Sequence, residues 1–224
     1  MGYEESRIEG RNAVLEAFRS GKTIDKLYVL DGCQDGPVKS ITREARTHDT
    51  IINYVAKERL DQLSETGKHQ GVIAVSAAYE YAEVEDILAA AEEKGEAPFI
   101  IVLDGIEDPH NLGAIIRTAN QAGAHGVIIP KRRAVGLTPT VARTSAGAIN
   151  YTPVAKVTNI SNTMKELKDK GMWFVCADMD GTRMYDLDLT GPIGLVIGNE
   201  GEGVSPLVKK NCDMVASIPM KGDI

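Results

Sequence analysis

The chain has 224 residues, 43% of them apolar, and a formal charge of −7 from 25 basic and 32 acidic side chains. That apolar share excludes global disorder. The longest aliphatic or aromatic run, Phe99–Leu103, is far too short for a membrane span, and the opening MGYEESRIEG lacks the basic and apolar regions of a secretory signal. Three widely spaced cysteines, Cys33, Cys176 and Cys212, fit a reducing cytoplasm better than a disulfide framework, and the negative total at first argues against a nucleic-acid partner.

The first 78 residues carry 11 basic and 12 acidic groups and alternate in pattern. Apolar spacing at Ile8, Val14, Leu15 and Phe18 predicts a helix over Ile8–Arg19, stopped by Gly21. A strand follows at Lys26–Leu30, a helix at Pro37–Thr47 with proline in its first turn, a strand at Thr50–Val55, a helix at Lys57–Glu65 and a strand at Gly71–Ser76. Residues 1–78 therefore read as a small α/β domain. Residues 79–97 hold 7 acids and 1 base, so most of the net charge lies in this one segment. Its Val84, Ile87, Leu88 and Ala91 fall at helical spacing, and Gly95 and Pro98 close it, which predicts a solvated helix linking two domains.

Residues 98–224 carry 13 charges of each sign. Strands are expected at Phe99–Leu103, Gly126–Pro130, Met172–Ala177, Gly194–Ile197 and Met214–Ile218. Helices are expected at Asn111–Gln121 with Asn111 as cap, after Thr138-Pro139, at Asn159–Lys170 and at Ser205–Lys210. Short apolar strands alternating with helices predict an α/β fold with a mostly parallel sheet covered on both faces. Ligands of such sheets bind in loops beyond the carboxyl ends of strands, so the loops after Leu103, Ile197 and Ile218 are the ones to inspect.

The loop after Ile197 reads GNEGEGVS, with glycines at 198, 201 and 203. This spacing is neither a dinucleotide fingerprint nor a P-loop, and Glu200 and Glu202 would repel a phosphate. A cationic or hydroxyl-bearing ligand suits it better; an ordinary tight turn is the alternative. In the loop and helix after Leu103, Gly113 is costly inside a helix by about 1 kcal/mol, which points to close approach by another group. Arg117 lies not quite two turns beyond Asn111, so both can face one end of a cleft, although Arg117 also reads as a plain surface arginine. Lys131, Arg132, Arg133 and Arg143 could form a basic surface, or a solvated loop, on a domain without net charge. Ile218-Pro219-Met220-Lys221-Gly222 places proline and glycine where a pocket would close. Cys176 and Cys212 lie in apolar stretches and read as core. No His, Cys or carboxylate spacing indicates a metal.

Three segments in order, Asn111-Leu112-Gly113-Ala114-Ile115-Ile116-Arg117, Ile197-Gly198-Asn199-Glu200-Gly201-Glu202-Gly203-Val204 and Ile218-Pro219-Met220, resemble the motifs of the SpoU (TrmH-type) family of RNA ribose 2′-O-methyltransferases. IEGRNAVLEAF and TGKHQGVIAV are similar to the small RNA-binding domain of the subgroup that modifies large-subunit ribosomal RNA. The resemblance covers nearly the whole chain. It implies a small N-terminal (L30e-like) substrate-binding domain and a C-terminal knotted α/β domain, homodimeric and cytoplasmic, that uses S-adenosylmethionine to methylate a guanosine ribose of 23S rRNA. It implies catalytic roles for Arg117, Asn111 and Glu200, with Asn111 orienting Arg117. Gly198, Gly203, Ile218 and Met220 would hold the cofactor, and Arg11, Lys131, Arg132 and Arg143 the RNA. The alternatives are another rRNA or tRNA nucleotide, or RNA binding without catalysis. The family's third motif continues into Ser-Leu-Asn-Val-Ser and a final helix, whereas the sequence ends at Ile224, so the expected pocket and knot lack their last segment in these 224 residues.

Overall fold

The computed structural model describes residues 7–220, which divide into two compact units. The first holds residues up to Glu80 together with Gly136–Pro139; the second holds Tyr81–Val135 and the residues from Thr140 onward.

In the N-terminal unit a short strand β1 (Arg7–Glu9) precedes helix α1 (Arg11–Arg19). The sequence pattern had placed Ile8 on a single helix running to Arg19. Gly10, at φ 89°, breaks the chain there, and Ile8 pairs antiparallel with Ala74. Strand β2 (Ile24–Leu30), helix α2 (Gly36–Thr47), strand β3 (Ile51–Val55), helix α3 (Lys57–Leu63) and strand β4 (Val72–Ser76) follow. The sheet order is β1-β4-β2-β3, with β2 and β3 parallel and β4 antiparallel to its neighbours. Val14, Phe18, Leu27, Val29, Ile41 and Val72 form its dry core. Asp35 caps α2 by accepting from the Val38 amide at 3.1 Å, the usual N-terminal solution for an unpaired N–H.

The loop between α3 and β4 hangs on one carboxylate. Glu9 accepts from Ser64 Oγ at 2.5 Å, Thr66 Oγ1 at 2.6 Å and the Glu65 amide at 2.6 Å. Burial works against its charge, but these hydrogen bonds outweigh it and draw the Glu9 carboxyl from its ordinary 4.5 down to about 2.

The second unit begins with helix α4 (Val84–Lys94), the acidic segment. It is solvated on one face only: Ile87 and Ala91 are fully buried, and Ile87 packs so closely over Gly126 that a Cβ there would overlap it. Just before it, the Ala82 amide donates to Val154 O at 2.9 Å. The expectation of a solvated connector included the charges and the helical spacing of Val84, Ile87, Leu88 and Ala91, but not the burial of that stripe in this unit's core. Glu83 and Asp86 form a reciprocal capping box at its start, and Gly95 ends it in the left-handed region at φ 66°.

Strand β5 (Phe99–Asp104), helix α5 (Pro109–Gln121), strand β6 (Gly126–Pro130), helix α6 (Pro139–Thr144), strand β7 (Val154–Val157) and helix α7 (Ile160–Asp169) come next. Strand β8 (Trp173–Arg183), strand β9 (Ile193–Gly198), helix α8 (Pro206–Lys210) and strand β10 (Met214–Ser217) complete the unit. The six strands are all parallel, in the order β10-β8-β9-β5-β6-β7. Strand β7 was not anticipated, being four residues long and half polar at its end. Strand β8 runs six residues past its predicted end at Ala177, and its pairing with β10 skips from Cys176 to Thr182. Asp178, in that excursion, meets Lys209 of α8 at 2.6 Å. One face of the sheet packs under α7 and α8 through Ile100, Val102, Phe174, Cys176 and Val196. Cys176 is fully buried, and burial pushes the Cys212 thiol up to about 12, so both behave as core groups. Among the described residues no helix is long and apolar enough to cross a membrane.

Glu9 yields a test. Its folded pKa lies below its unfolded value, so its contribution to stability is complete above about 4.5 and is lost as pH falls toward about 2. Glu9→Gln is expected to lower the urea midpoint at pH 7, and the gap from the wild type should close as the titration is repeated toward pH 3. A gap independent of pH would contradict the assignment.

Candidate active site

The parallel register brings the ends of β5 and β9 level, Asp104 beside Gly198. The chain leaving β9 closes on itself: the Asn199 amide donates to Gly203 O at 3.1 Å, and the Gly203 amide donates to Asn199 O at 2.8 Å. Two glycines permit this. A Cβ at Gly198 would overlap the backbone of Gly203 and Val204, and Gly203 itself sits at φ 70°. The Asn199 side chain accepts from the amides of Gly201 (2.8 Å) and Glu202 (3.3 Å) and donates to Gly105 O at 3.0 Å. The Asp104 carboxylate accepts from the Ser205 amide at 2.8 Å. The loops after β5 and β9 are thus stapled together by two side chains that sequence reasoning had not singled out. The signal for Asp104 was its place as the polar residue ending a buried strand.

Helix α5 starts two residues earlier than its pattern suggested. Asp108 is its cap, accepting from the His110 amide at 2.6 Å, and Pro109 is its first residue. Asn111, expected as the cap, stands in the first turn with its side chain free to cross to the other loop, where Nδ2 donates to Glu200 Oε1. Gly113 is the point of close approach: a Cβ there would overlap Thr144 of α6 and lie 2.9 Å from Val141 O.

Arg117 is exposed and has no side-chain partner among the described residues. From helix geometry it lies about 9 Å along the axis from Asn111 and about 120° around it. The structure therefore joins Asn111 to Glu200 and leaves Arg117 apart as a solvated cation.

Ile197 and Ile218 line an apolar cavity of about 620 Å³ with Ala177, Met184, Leu189 and Leu195. The cavity runs along the sheet face from the strand ends. Ile218, which lines it, is 65% exposed, and Met220 is 73% exposed. Lys221 and Gly222 lie outside the described residues. Of the basic residues, Arg132 and Arg143 are exposed, and Lys131 follows β6 directly with its amide donating to Val157 O at 2.8 Å. Arg143 reaches Thr140 Oγ1 at 3.5 Å. Arg11, in the N-terminal unit, is committed internally: it pairs with Asp35 at 2.6 Å and donates from Nε to Gln70 O at 3.1 Å. Among the described residues no group of three or more His, Cys, Asp or Glu is arranged to hold a metal.

Residues 98–224 match the SpoU rRNA methylase family. The chain belongs to that family. Residues 7–82 match a second family, described as RNA 2′-O ribose methyltransferase substrate binding. A TrmH family tRNA/rRNA methyltransferase of Bacillus subtilis is 46% identical over 225 residues, covering 100% of this chain and 90% of that protein. A Staphylococcus saprophyticus protein of the same description is 46% identical over 222 residues, covering 99% of this chain and 89% of its own. Among solved structures, the SpoU methyltransferase AviRb of Streptomyces viridochromogenes in complex with AdoMet aligns with a TM-score of 0.58 at 25% identity, over 97% of this chain and 81% of that one. The AdoMet-bound rRNA methyltransferase of Sinorhizobium meliloti shares the fold, with a TM-score of 0.57 at 23% identity over 97% of this chain and 79% of that one.

The staple through Asn199 is testable without substrate. Asn199→Ala removes its bonds to two exposed loop amides and to the half-buried Gly105 carbonyl and is expected to cost about 0.5–1.5 kcal/mol in urea unfolding. An unchanged midpoint would show that the loop closes without it.

Proposed function

We propose that this SpoU-family methyltransferase transfers a methyl group from S-adenosylmethionine to the ribose 2′-OH of a guanosine in 23S rRNA. The observation that carries the reading is the Asn111–Glu200 hydrogen bond, which joins the first and second motif segments at the strand ends. The residues suit the cofactor. The apolar cavity, about 620 Å³ and lined by Ile218 among the expected cofactor residues, is in the usual size range for a cofactor site and offers apolar faces to an adenine ring. The carboxylates of Glu200 and Glu202 suit a sulfonium cation and hydroxyl donors. In this reading Gly198, Gly203, Ile218 and Met220 hold the cofactor.

Bound S-adenosylmethionine supplies an electrophilic methyl group on sulfur. The protein's share is placement of the ribose oxygen in line with it. Glu200, fixed by Asn111, accepts a hydrogen bond from the ribose and orients it. Arg117 anchors an RNA phosphate and stabilises negative charge developing on the 2′ oxygen. A guanidinium keeps its proton far above neutral pH, so it serves as an electrostatic anchor and not as the base; the 2′-OH proton passes to the Glu200 carboxylate that accepts its hydrogen bond, and from there to solvent. Reading a 2′-OH confines the substrate to RNA. Arg132 and Arg143 add exposed positive charge for the backbone. The match of residues 7–82 to a substrate-binding family supports an RNA partner for the N-terminal unit. The same reading carries a knotted domain and a cytoplasmic homodimer.

Arg117→Ala is expected to abolish methyl transfer to rRNA, at least 100-fold on the scale of about 10²–10³ for the loss of one preorganised donor. Cofactor affinity by calorimetry should not change. Near-normal turnover in that variant would contradict the role.

A further inference from the structure

The N-terminal unit repeats, on a smaller scale, the geometry that places ligands at strand ends. Strands β2 and β3 are parallel and finish level, Leu30 beside Val55, and the Asp31 amide ties the next residue to Val55 O at 2.9 Å. Beyond that edge lies a cleft of about 510 Å³ between the loop after β2, helix α2 and Tyr54 of β3. Its chemistry differs from that of the apolar cavity in the other unit. Lys39, Thr42 and Arg46 line it from α2, at spacings of three and four residues that put them in one stripe. Neither Lys39 nor Arg46 has a side-chain partner among the described residues. Tyr54 lines the cleft with 51% of its surface exposed, an aromatic ring left open on an edge strand. Asp31 and Gln34 also line the cleft, and Asp31 Oδ1 accepts from the Gly32 amide at 2.9 Å. The Arg11–Asp35 ion pair, at 2.6 Å, binds the start of α1 to the cap of α2 and fixes the loop that forms one wall.

A flat aromatic face, two unpaired cations and a carboxylate with an amide make a set that matches an unstacked nucleotide: a π-face to stack on, phosphates to neutralise and a base edge to hydrogen-bond. The volume suits one nucleotide and not a duplex. We infer that this cleft seats one unpaired nucleotide of the RNA substrate, its base against Tyr54 and its flanking phosphates on Lys39 and Arg46. This rests on the reading of the chain as an RNA methyltransferase and deepens it by locating where the N-terminal unit grips the RNA. Along α2 the two cations are about 10 Å apart, so they serve phosphates on either side of the seated nucleotide. Asp31 and Gln34 then face the base edge and favour one that offers N–H donors.

The test is a titration of the full chain with a fluorescent single-stranded RNA of mixed sequence, run beside methyl transfer to rRNA and cofactor calorimetry. Tyr54→Ala should weaken RNA binding about 5-fold or more while Tyr54→Phe holds near the wild type, because stacking needs the ring and not the hydroxyl. Lys39→Gln with Arg46→Gln should lower the slope of log affinity against log salt by about 1.4, from about 0.7 per phosphate contact on a single strand. Cofactor affinity should not move in any variant. RNA affinity and salt slope unchanged in both the Tyr54→Ala and the double variant would overturn the cleft assignment, and methyl transfer by the wild type in the same series would leave the enzymatic reading standing. RNA binding that depends on these residues in a protein that transfers no methyl group would instead support the cleft and remove the enzymatic reading. A ribonucleoside monophosphate that binds more tightly than the oligomer, and loses that binding in the same variants, would reassign the cleft to a free nucleotide and overturn the proposal.

Discussion

Two parallel strands that end level, β5 at Asp104 and β9 at Gly198, set the geometry on which the candidate site depends. Their loops have no regular structure of their own. Asn199 and Asp104 supply what the backbone lacks, one crossing to Gly105 O and the other to the Ser205 amide. With these bonds made, the first turn of α5 and the tip of the glycine loop are close enough for Asn111 to reach Glu200. The glycines have separate tasks. Gly198 lets the loop fold back on its own strand, Gly203 takes the positive φ that closes it, and Gly113 lets α5 lie against α6. A side chain at the first or third would push apart elements whose separation the site needs.

Much of this was legible in the sequence because the signals were local. Continuous apolar runs such as Phe99–Leu103 and Gly126–Pro130 marked buried parallel strands, and the loops after Leu103 and Ile197 leave from the level ends of β5 and β9. What escaped depended on partners distant along the chain. Ile8 carries no mark of being a strand residue; Ala74, more than sixty positions away, makes it one. Asn111 looked like a cap because Asn caps helices well, but Asp108 with Pro109 behind it is the better start, and the displaced Asn111 becomes available for Glu200. Asn199 carried no signal of its own, since its value lies in reaching a carbonyl 94 residues earlier.

The net charge of −7 is a sum over dissimilar parts. The acid is concentrated in and beside α4, whose inner face buries Ile87 and Ala91 in the core. Elsewhere the basic groups divide between two conditions. Arg11 is tied to Asp35 and spends its charge inside the N-terminal unit. Among the described residues Arg117, Lys39 and Arg46 have no side-chain partner and keep theirs for solvent or ligand. Partner availability, and not the count of basic residues, separates structural arginines from those open to a phosphate.

The most direct test of the account is to incubate the full chain with labelled S-adenosylmethionine and unmodified 23S rRNA and to map the product by resistance to alkaline cleavage. The account predicts one labelled guanosine, protected because its 2′ oxygen carries the methyl group. Label on a base, or none transferred to RNA by a protein that binds the cofactor, would contradict it.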